Sequence, residues 1–300
     1  MGAWLVSLAG TAEGARLATL LALSAALLHA VFGALQKGRF DPWLTRGAID
    51  SCYGLIALPV AVLLVPWPEP HMWPIFAGVF AIHTGYKLLQ AMAYDRGAYT
   101  VVYPVVRGTG PLFTVAGAWL VFAEPFHPMQ WLGVAVLVGG IFGLAGYNLR
   151  HVRVGRDRLV PALGLAVATG GFVAAYTTFD AYGIRATADP FTFLAWFFVL
   201  DSLVMPVLAL RRWRRLAARP DLRPLLLRGL AGALVAFGSF GTVMLATRIG
   251  KVGEAAVLRE TSPVFAAVIG RAFLGEPVGR SRAALIGLIA LGAVIVELGG

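Results

Sequence analysis

The chain has 300 residues, of which 59% are hydrophobic and 13% are charged, and its mean hydropathy is +0.78. Soluble domains carry about 25% charged residues, so this composition excludes a water-soluble enzyme, a disordered chain and, with one cysteine, a disulfide scaffold. Long apolar runs, rather than short alternating segments, predict an all-α integral membrane protein. The net charge of +10 suggests nucleic-acid binding at first sight.

Ten apolar segments, separated by short joints rich in charged residues, Pro or Gly, are long enough to cross a bilayer as helices. They cover about 17–36, 48–65, 73–93, 99–122, 130–149, 160–183, 191–210, 225–247, 253–274 and 283–298. The first segment also fits a signal peptide, an interpretation that the nine following segments disfavour. Because the joints are short, we expect no extramembrane domain.

The two halves of the chain resemble each other. Residues 105–125 align with 257–277 without a gap, and seven of the 21 positions are identical, including an Arg, two Pro and a Glu. This similarity predicts two five-helix repeats, over 1–149 and 150–300. Since five is odd, the second repeat must enter the membrane from the opposite side, as in many secondary transporters.

The basic residues predict the orientation of the chain. The odd-numbered joints hold 17 of the 25 Lys and Arg residues, whereas the even-numbered joints and both tails hold four. Positive charge concentrates on the cytoplasmic side of membrane proteins, so both termini are predicted to be periplasmic. The same asymmetry explains the net charge, so no nucleic-acid partner is expected. Binding of RNA or anionic lipid by the Arg-rich joints is the alternative interpretation.

Polar side chains inside the segments are the candidate functional residues, because ionisable groups at membrane depth usually face a partner or a cavity. We expect eight residues to line a central substrate-binding cavity: His83, Tyr86, Gln90, Tyr99, Tyr103, Arg107, Tyr176 and Arg259. Three others are candidate coupling groups or counter-charges: Lys87, Asp201 and Glu260.

Several of these residues have a structural alternative. Arg107 and Arg259 either bind substrate or are tied to Asp201, Glu260 or helix-end carbonyls, in which case they only fix helix positions. For His83, hydrogen bonding between helices is favoured over proton relay.

Other features limit the chemistry. Pro111 and Pro263, which match across the repeat, are expected to bend the fourth and ninth segments near mid-membrane. The sequence has no Walker A loop, and its five histidines show no paired metal-ligand spacing, so we expect no cofactor, metal site or catalytic residue. An intramembrane enzyme that uses Asp201 and Glu260 is an alternative.

With its two Pro-centred motifs and the two endings Ala123-Glu-Pro125 and Gly275-Glu-Pro277, the chain resembles the EamA-type, ten-span members of the drug/metabolite transporter superfamily. The resemblance implies export or exchange of small metabolites, often amino acids, through a cavity built from spans 3, 4, 8 and 9. It also implies cytoplasmic termini, which the charge count opposes. Small multidrug resistance relatives couple to protons through a glutamate in the first span, and this chain has none there.

We therefore predict a monomeric secondary transporter of the bacterial inner membrane that exports neutral or aromatic amino acids by alternating access. Its partners would be the small-molecule substrate and the lipid bilayer. An exporter of amphipathic cations or drugs is the alternative within transport, and a membrane scaffold or an intramembrane enzyme is the alternative outside it.

Overall fold

The computed structural model describes residues 2–36, 41–96, 99–151, 156–216, 220–273 and 279–300, and the regular secondary structure in these ranges is all helical. The helices are α1 Ala3–Ser7, α2 Ala12–Gln36, α3 Pro42–Leu63, α4 Met72–Arg96, α5 Tyr99–Phe122, α6 Pro128–His151, α7 Arg156–Ala186, α8 Pro190–Asp201, α9 Val204–Arg215, α10 Leu222–Ile249, α11 Val252–Arg259, α12 Ser262–Phe273 and α13 Arg280–Leu298. Each predicted segment corresponds to one helix or to two consecutive helices. The all-α prediction is confirmed for these residues.

Within the described ranges, eight stretches are long and apolar enough to cross a membrane. They are Ala12–Phe32, Pro42–Leu63, Val105–Phe122, Pro128–Tyr147, Pro161–Ala186, Pro190–Arg215, Leu222–Ile249 and Arg280–Leu298. The protein is therefore a multi-pass membrane protein. The predicted segments 73–93 and 253–274 are not among the eight. The first corresponds to α4, and the second is divided between α11 and α12.

Two helix starts follow directly from Asp-Pro dipeptides. Asp41 precedes α3 and accepts a hydrogen bond from the Trp43 amide at 2.9 Å, and Asp189 precedes α8 and accepts one from the Phe191 amide at the same distance. In both helices Pro is the first residue, where its missing N–H costs nothing. These caps fix the amino-terminal ends of α3 and α8.

The first compact unit comprises Met1–Thr84 and Phe179–Ile249. In it α3 packs against α8, α9 and α10, and α10 also packs against α2. Its core is aromatic: Phe76 stacks on Phe193 at 5.5 Å between ring centroids, and Phe198 contacts both Tyr53 and Phe237. The same helices carry most of the polar residues of the first unit that are described below.

The second compact unit comprises Gly85–Thr178 and Gly250–Gly300. Its main contact joins α6 to α13, and α5 packs against α6 and α11. The α6–α13 contact brings backbones together, since a Cβ added at Gly133 would lie 2.7 Å from the Gly292 carbonyl oxygen. Small residues allow such close approach between helices in membranes.

Each unit thus combines helices from both halves of the sequence. Helices α4 and α7 contribute to both units, because the divisions fall between Thr84 and Gly85 and between Thr178 and Phe179. The repeat boundary near residue 150 stays a prediction.

Candidate functional site

The structure contains two clusters of buried polar residues, one in each unit. The arginine cluster, in the second unit, consists of Tyr86, Gln90, Arg107, Tyr176, Arg259, Glu260 and Ser262. The aspartate cluster, in the first unit, consists of Arg46, Asp50, Tyr53, His83, Asp180 and Asp201. Charged groups inside membrane helices are costly and mark functional sites by default, so both clusters are candidates.

Glu260 lies at the centre of the arginine cluster. Its Oε2 is 2.7 Å from Arg107 Nε, and its Oε1 is 3.7 Å from Arg259 Nη2. Arg107, Arg259 and Glu260 are only 5%, 4% and 1% exposed. The Ser262 hydroxyl accepts a further hydrogen bond from Arg107 Nη2 at 3.3 Å. One carboxylate therefore bridges two buried guanidinium groups.

A break between two helices places Glu260. Helix α11 ends at Arg259, and α12 begins at Ser262, so Glu260 and Thr261 form a turn. The Glu260 amide bonds to the Val257 carbonyl at 3.0 Å, three residues back, which is the tight geometry of a helix ending. The following Pro263 has no amide hydrogen to continue the α11 hydrogen bonds. The break turns the Glu260 backbone out of the regular helix beside Arg259.

Aromatic rings lie next to the arginines. The Arg259 guanidinium carbon is 5.9 Å from the centre of the Tyr176 ring, within the range of cation–π attraction. Tyr176 meets Tyr86 edge to face at 5.0 Å between centroids, and the Gln90 amide donates to the Tyr86 hydroxyl at 2.6 Å. These contacts hold two ring systems in fixed orientation near the charges.

Two buried guanidinium groups face one carboxylate among the described contacts of the arginine cluster. Arg107 and Arg259 both approach Glu260. The Nε of Arg259 has no hydrogen-bond partner among the described residues. A buried guanidinium edge with a free donor favours an anionic oxygen as its partner. The cluster is therefore suited to bind a carboxylate or another small anion.

The aspartate cluster is arranged around His83. Its Nε2 is 2.8 Å from Asp180 Oδ2, and its Nδ1 is 3.8 Å from Asp201 Oδ1. The imidazole also meets the Phe197 ring edge to face at 4.9 Å. His83 is 2% exposed, and both aspartates are buried. A single imidazole thus lies between two buried carboxylates from different helices.

Helix α3 contributes the rest of the aspartate cluster. Arg46 Nε is 2.7 Å from Asp50 Oδ1 one helical turn away, and Arg46 Nη2 is 4.0 Å from Asp201 Oδ2. The Tyr53 hydroxyl donates to the same Asp201 oxygen. Sequence analysis missed Arg46, Asp50 and Tyr53 as functional candidates. The four-residue spacing of Arg46 and Asp50 was the available signal, since it pairs opposite charges on one helix face.

Comparison with known proteins agrees with this picture of a helical membrane protein. The EamA-like transporter family matches residues 16–146 and again 160–298. The chain belongs to the EamA-like transporter family. The resemblance found in the sequence is confirmed, and the protein is a membrane transporter of the drug/metabolite transporter superfamily, whose members are transporters rather than enzymes.

Neither the relative nor the solved structure described next, both of which are similar to this EamA-like protein, has a stated function. The uncharacterized protein y4nH of Sinorhizobium fredii (strain NBRC 101917 / NGR234) is 32% identical over 101 residues, which are 32% of this chain and 86% of that protein. A crystal structure described only as that of a protein is similar to this chain with a TM-score of 0.77 and 18% sequence identity. The similarity covers 94% of this chain and 98% of the chain in that structure. The second similarity establishes the shared fold alone.

The predicted site residues of this EamA-like protein fall into both clusters. The second unit brings together Tyr86, Gln90, Arg107, Tyr176, Arg259 and Glu260 and also contains Lys87, and the first unit holds His83 and Asp201. The Arg107 partner is Glu260, one of the alternatives that the sequence left open. A common central cavity stays a prediction.

The remaining predicted residues are in α5 and α12. Tyr99 and Tyr103 belong to α5, and their side chains lie outside the described part of the structure. Helix α5 continues through Pro111, whereas Pro263 is the second residue of α12, directly after the break. The two bends stay predictions.

Proposed function

We propose that the protein exports small carboxylate-bearing metabolites, above all neutral or aromatic amino acids, across a bacterial inner membrane by alternating access. The observation that carries this proposal is the arginine cluster, in which a buried guanidinium edge lies beside aromatic rings. The Arg259 donor would bind the substrate carboxylate. The Tyr176 and Tyr86 rings would pack against an apolar or aromatic side chain.

An amphipathic cation is the weaker substrate at this cluster. Its counter-charge would have to be Glu260, and that carboxylate already faces Arg107 and Arg259. A cation would therefore enter a region of excess positive charge, which electrostatic repulsion disfavours.

The architecture that we propose for this transporter has ten crossings in two inverted repeats. The family model matches the chain twice, once in each half. In y4nH, 101 residues make up 86% of the protein, so y4nH is shorter than half of this chain. Both findings support the duplication of a unit of about half this chain. An inverted repeat gives a single chain two related halves that can move against each other, so it can act as a monomer.

Contacts in the first unit support this number of crossings. The Ala188 amide bonds to Glu69 Oε1 at 3.2 Å, which joins the second and sixth joints. The Gly2 amide bonds to Asp189 Oδ2 at 3.3 Å and brings the amino terminus to the same end. These contacts support an even number of crossings between the second and sixth joints, with α4 as one of them.

The second unit supports the same conclusion for α11 and α12. The Glu124 carboxylate accepts from the Val252 amide at 2.8 Å, which joins the fourth and eighth joints. Gln130 Nε2 donates to Glu254 Oε1 at 2.7 Å and to the Val296 carbonyl at 3.3 Å, near the carboxyl terminus. These contacts support two crossings between the eighth joint and the carboxyl terminus, one of them formed by α11 and α12 together.

Substrate recognition is tested by comparing a carboxylate with its amide. Purified protein is reconstituted in proteoliposomes, and counterflow of tryptophan is measured against unlabelled tryptophan or tryptophanamide as competitor. A charge-assisted hydrogen bond contributes about 1.5–3 kcal/mol, so Arg259→Gln should weaken tryptophan binding roughly 10- to 100-fold and tryptophanamide binding far less. Arg16→Gln, at an exposed arginine, is the control and should change neither.

Equal weakening of both compounds by Arg259→Gln would assign Arg259 to structure rather than to carboxylate recognition. Absence of counterflow for every amino acid tested, in protein that remains folded, would refute amino-acid transport itself.

A further inference from the structure

We propose that the exposed face at the end of α9 binds an anionic glycerophospholipid, whose phosphate is held by Arg211 and Arg214. This face, called the α9 lipid face below, consists of Val207, Leu210, Arg211 and Arg214. It is distinct from the aspartate cluster of the same unit, because its side chains are exposed rather than buried. Lipid binding there does not depend on which substrate the protein transports.

The α9 lipid face is apolar first and basic at its end. Its four residues are three or four positions apart, so their side chains lie on the same side of the helix. Val207 and Leu210 are 51% and 50% exposed, and both arginines are exposed as well. Apolar side chains followed by guanidinium groups match a phospholipid, in which an acyl chain leads to a charged phosphate.

The length of this part of the chain places the arginines at the level of lipid headgroups. The apolar stretch Pro190–Arg215 has 26 residues, whereas about 20 residues cross the hydrocarbon core. The last turn of α9 therefore extends into the headgroup layer. Leu210 and Val207, one and two turns before Arg214, remain beside the acyl chains. Basic residues clustered directly after a membrane helix are typical of contacts with anionic lipids.

The arginines of this turn differ in whether the protein itself supplies a carboxylate. Arg212 points to a different side of α9 and pairs with Asp41 at 3.0 Å. Among the residues that the structure describes, Arg211 and Arg214 form no ion pair with a carboxylate. An arginine can bind a phosphate through two parallel hydrogen bonds. Arg211 and Arg214 are therefore available to a lipid phosphate, whereas Arg212 is already paired.

Packing holds the end of α9 in place. Trp213 lies between the arginines in sequence, and its side chain is half-buried against a small apolar cluster formed by Leu44, Ala48, Ala209 and Leu225. These residues come from α3, α9 and α10, so three helices meet at this end. A binding surface on fixed helices loses less conformational entropy when a ligand is bound. The arginines are thus presented to the lipid by a rigid part of the first unit.

Native mass spectrometry of the purified full-length protein in detergent measures this binding. The protein is titrated with dioleoylphosphatidylglycerol or with zwitterionic dioleoylphosphatidylcholine, and phosphatidylglycerol should be the first lipid to bind. Each basic residue near an anionic lipid changes the affinity about fivefold, so the double variant Arg211→Gln/Arg214→Gln should bind phosphatidylglycerol roughly 25-fold more weakly. Its affinity for phosphatidylcholine should change little.

A matched control removes the same charge elsewhere. Arg16→Gln/Arg212→Gln replaces two exposed arginines outside the α9 lipid face and should change phosphatidylglycerol affinity little. Arg211→Lys/Arg214→Lys keeps both charges and should retain most of the affinity. Phosphatidylglycerol should also raise the melting temperature of the wild-type protein, because a ligand of the native state stabilises it. It should not raise that of the Gln variant.

Three outcomes would overturn the proposal. Equal affinity of the wild-type protein for the two lipids would show that the phosphatidylglycerol charge is not recognised. Equal losses in Arg211→Gln/Arg214→Gln and in the control would show that binding follows net charge rather than this face. Displacement of phosphatidylglycerol by an RNA oligonucleotide at a lower concentration than the lipid would assign the arginines to nucleic acid.

Discussion

At the scale of single residues, Glu124 has a structural role that its place in the repeated Glu-Pro ending does not reveal. Its buried carboxylate accepts from the Val252 amide at 2.8 Å and from the Gly253 amide at 3.2 Å. These are the first two amides of α11, and a carboxylate there satisfies orphan donors and opposes the positive end of the helix. Glu124 therefore caps a helix that ends at the arginine cluster.

Replacement of Glu124 should destabilise the protein. Because two buried amides lose their acceptor, we expect Glu124→Ala to lower the free energy of unfolding by about 1–3 kcal/mol, measured by denaturant unfolding in detergent. Glu13→Ala is the matched control, since Glu13 is in the first turn of α2 but exposed, and should cost less than about 1 kcal/mol. Equal effects of the two substitutions would contradict the cap.

The partners of buried residues could be predicted only in part. His83, Arg107 and Glu260 lie within apolar segments, where burial of a polar or charged side chain is costly without a partner. The partner of each depends on how distant helices pack, so Arg107 with Glu260 remained one alternative among several. Arg46 was assigned to a joint because it precedes the apolar run, and its side chain reaches Asp50 and Asp201 instead.

At the scale of helices, the sequence was most informative where it contains explicit signals. Asp41-Pro42 and Asp189-Pro190 mark the starts of α3 and α8, and apolar runs locate the helices themselves. The break within the seventh segment was not predicted, whereas in the ninth segment a bend at Pro263 was expected. Ser202 and Leu203 separate α8 from α9, and they interrupt an apolar run without a proline at the break. Tertiary packing, rather than local sequence, decides such interruptions.

The glycines of α6 allow a test of helix packing with neighbouring positions. A Cβ on Gly140 would lie 2.9 Å from the Leu285 carbonyl oxygen and 3.0 Å from the Ile289 amide nitrogen, both backbone atoms of α13, whereas one on Gly139 would meet nothing within 4 Å. We expect Gly140→Ala to destabilise the protein by about 1–3 kcal/mol through overpacking.

The control substitution, Gly139→Ala, should change the stability of the protein in the opposite direction. Gly139→Ala gains up to about 1 kcal/mol of helix propensity and meets no obstacle. Thermal unfolding of the two variants in detergent measures the difference. Similar melting temperatures for both would show that α6 and α13 do not approach each other as closely as in this structure.

At the scale of the whole molecule, the compact units and the predicted repeats divide the chain differently. Each unit takes helices from both halves, and α4 and α7 belong to both units. The two halves are therefore not independent domains, since neither half contains a complete unit. A chain cut near residue 150 would leave each unit without part of its core, including contacts of α3 with α8 and of α6 with α13.

Orientation in the membrane is the property on which charge and family resemblance disagree. The odd joints hold 17 of the 25 basic residues, and in the first unit Arg212 of the seventh joint pairs with Asp41 of the first at 3.0 Å, as expected for joints at one end. Because Lys and Arg are retained on the cytoplasmic side, alkaline phosphatase fused after Gly300 should be active, and green fluorescent protein fused there should be dark. Fusions after Arg153, in the fifth joint, should give the reverse pattern. A fluorescent fusion at Gly300 would place the termini in the cytoplasm and show that the concentrated arginines serve another purpose, such as contact with anionic lipid.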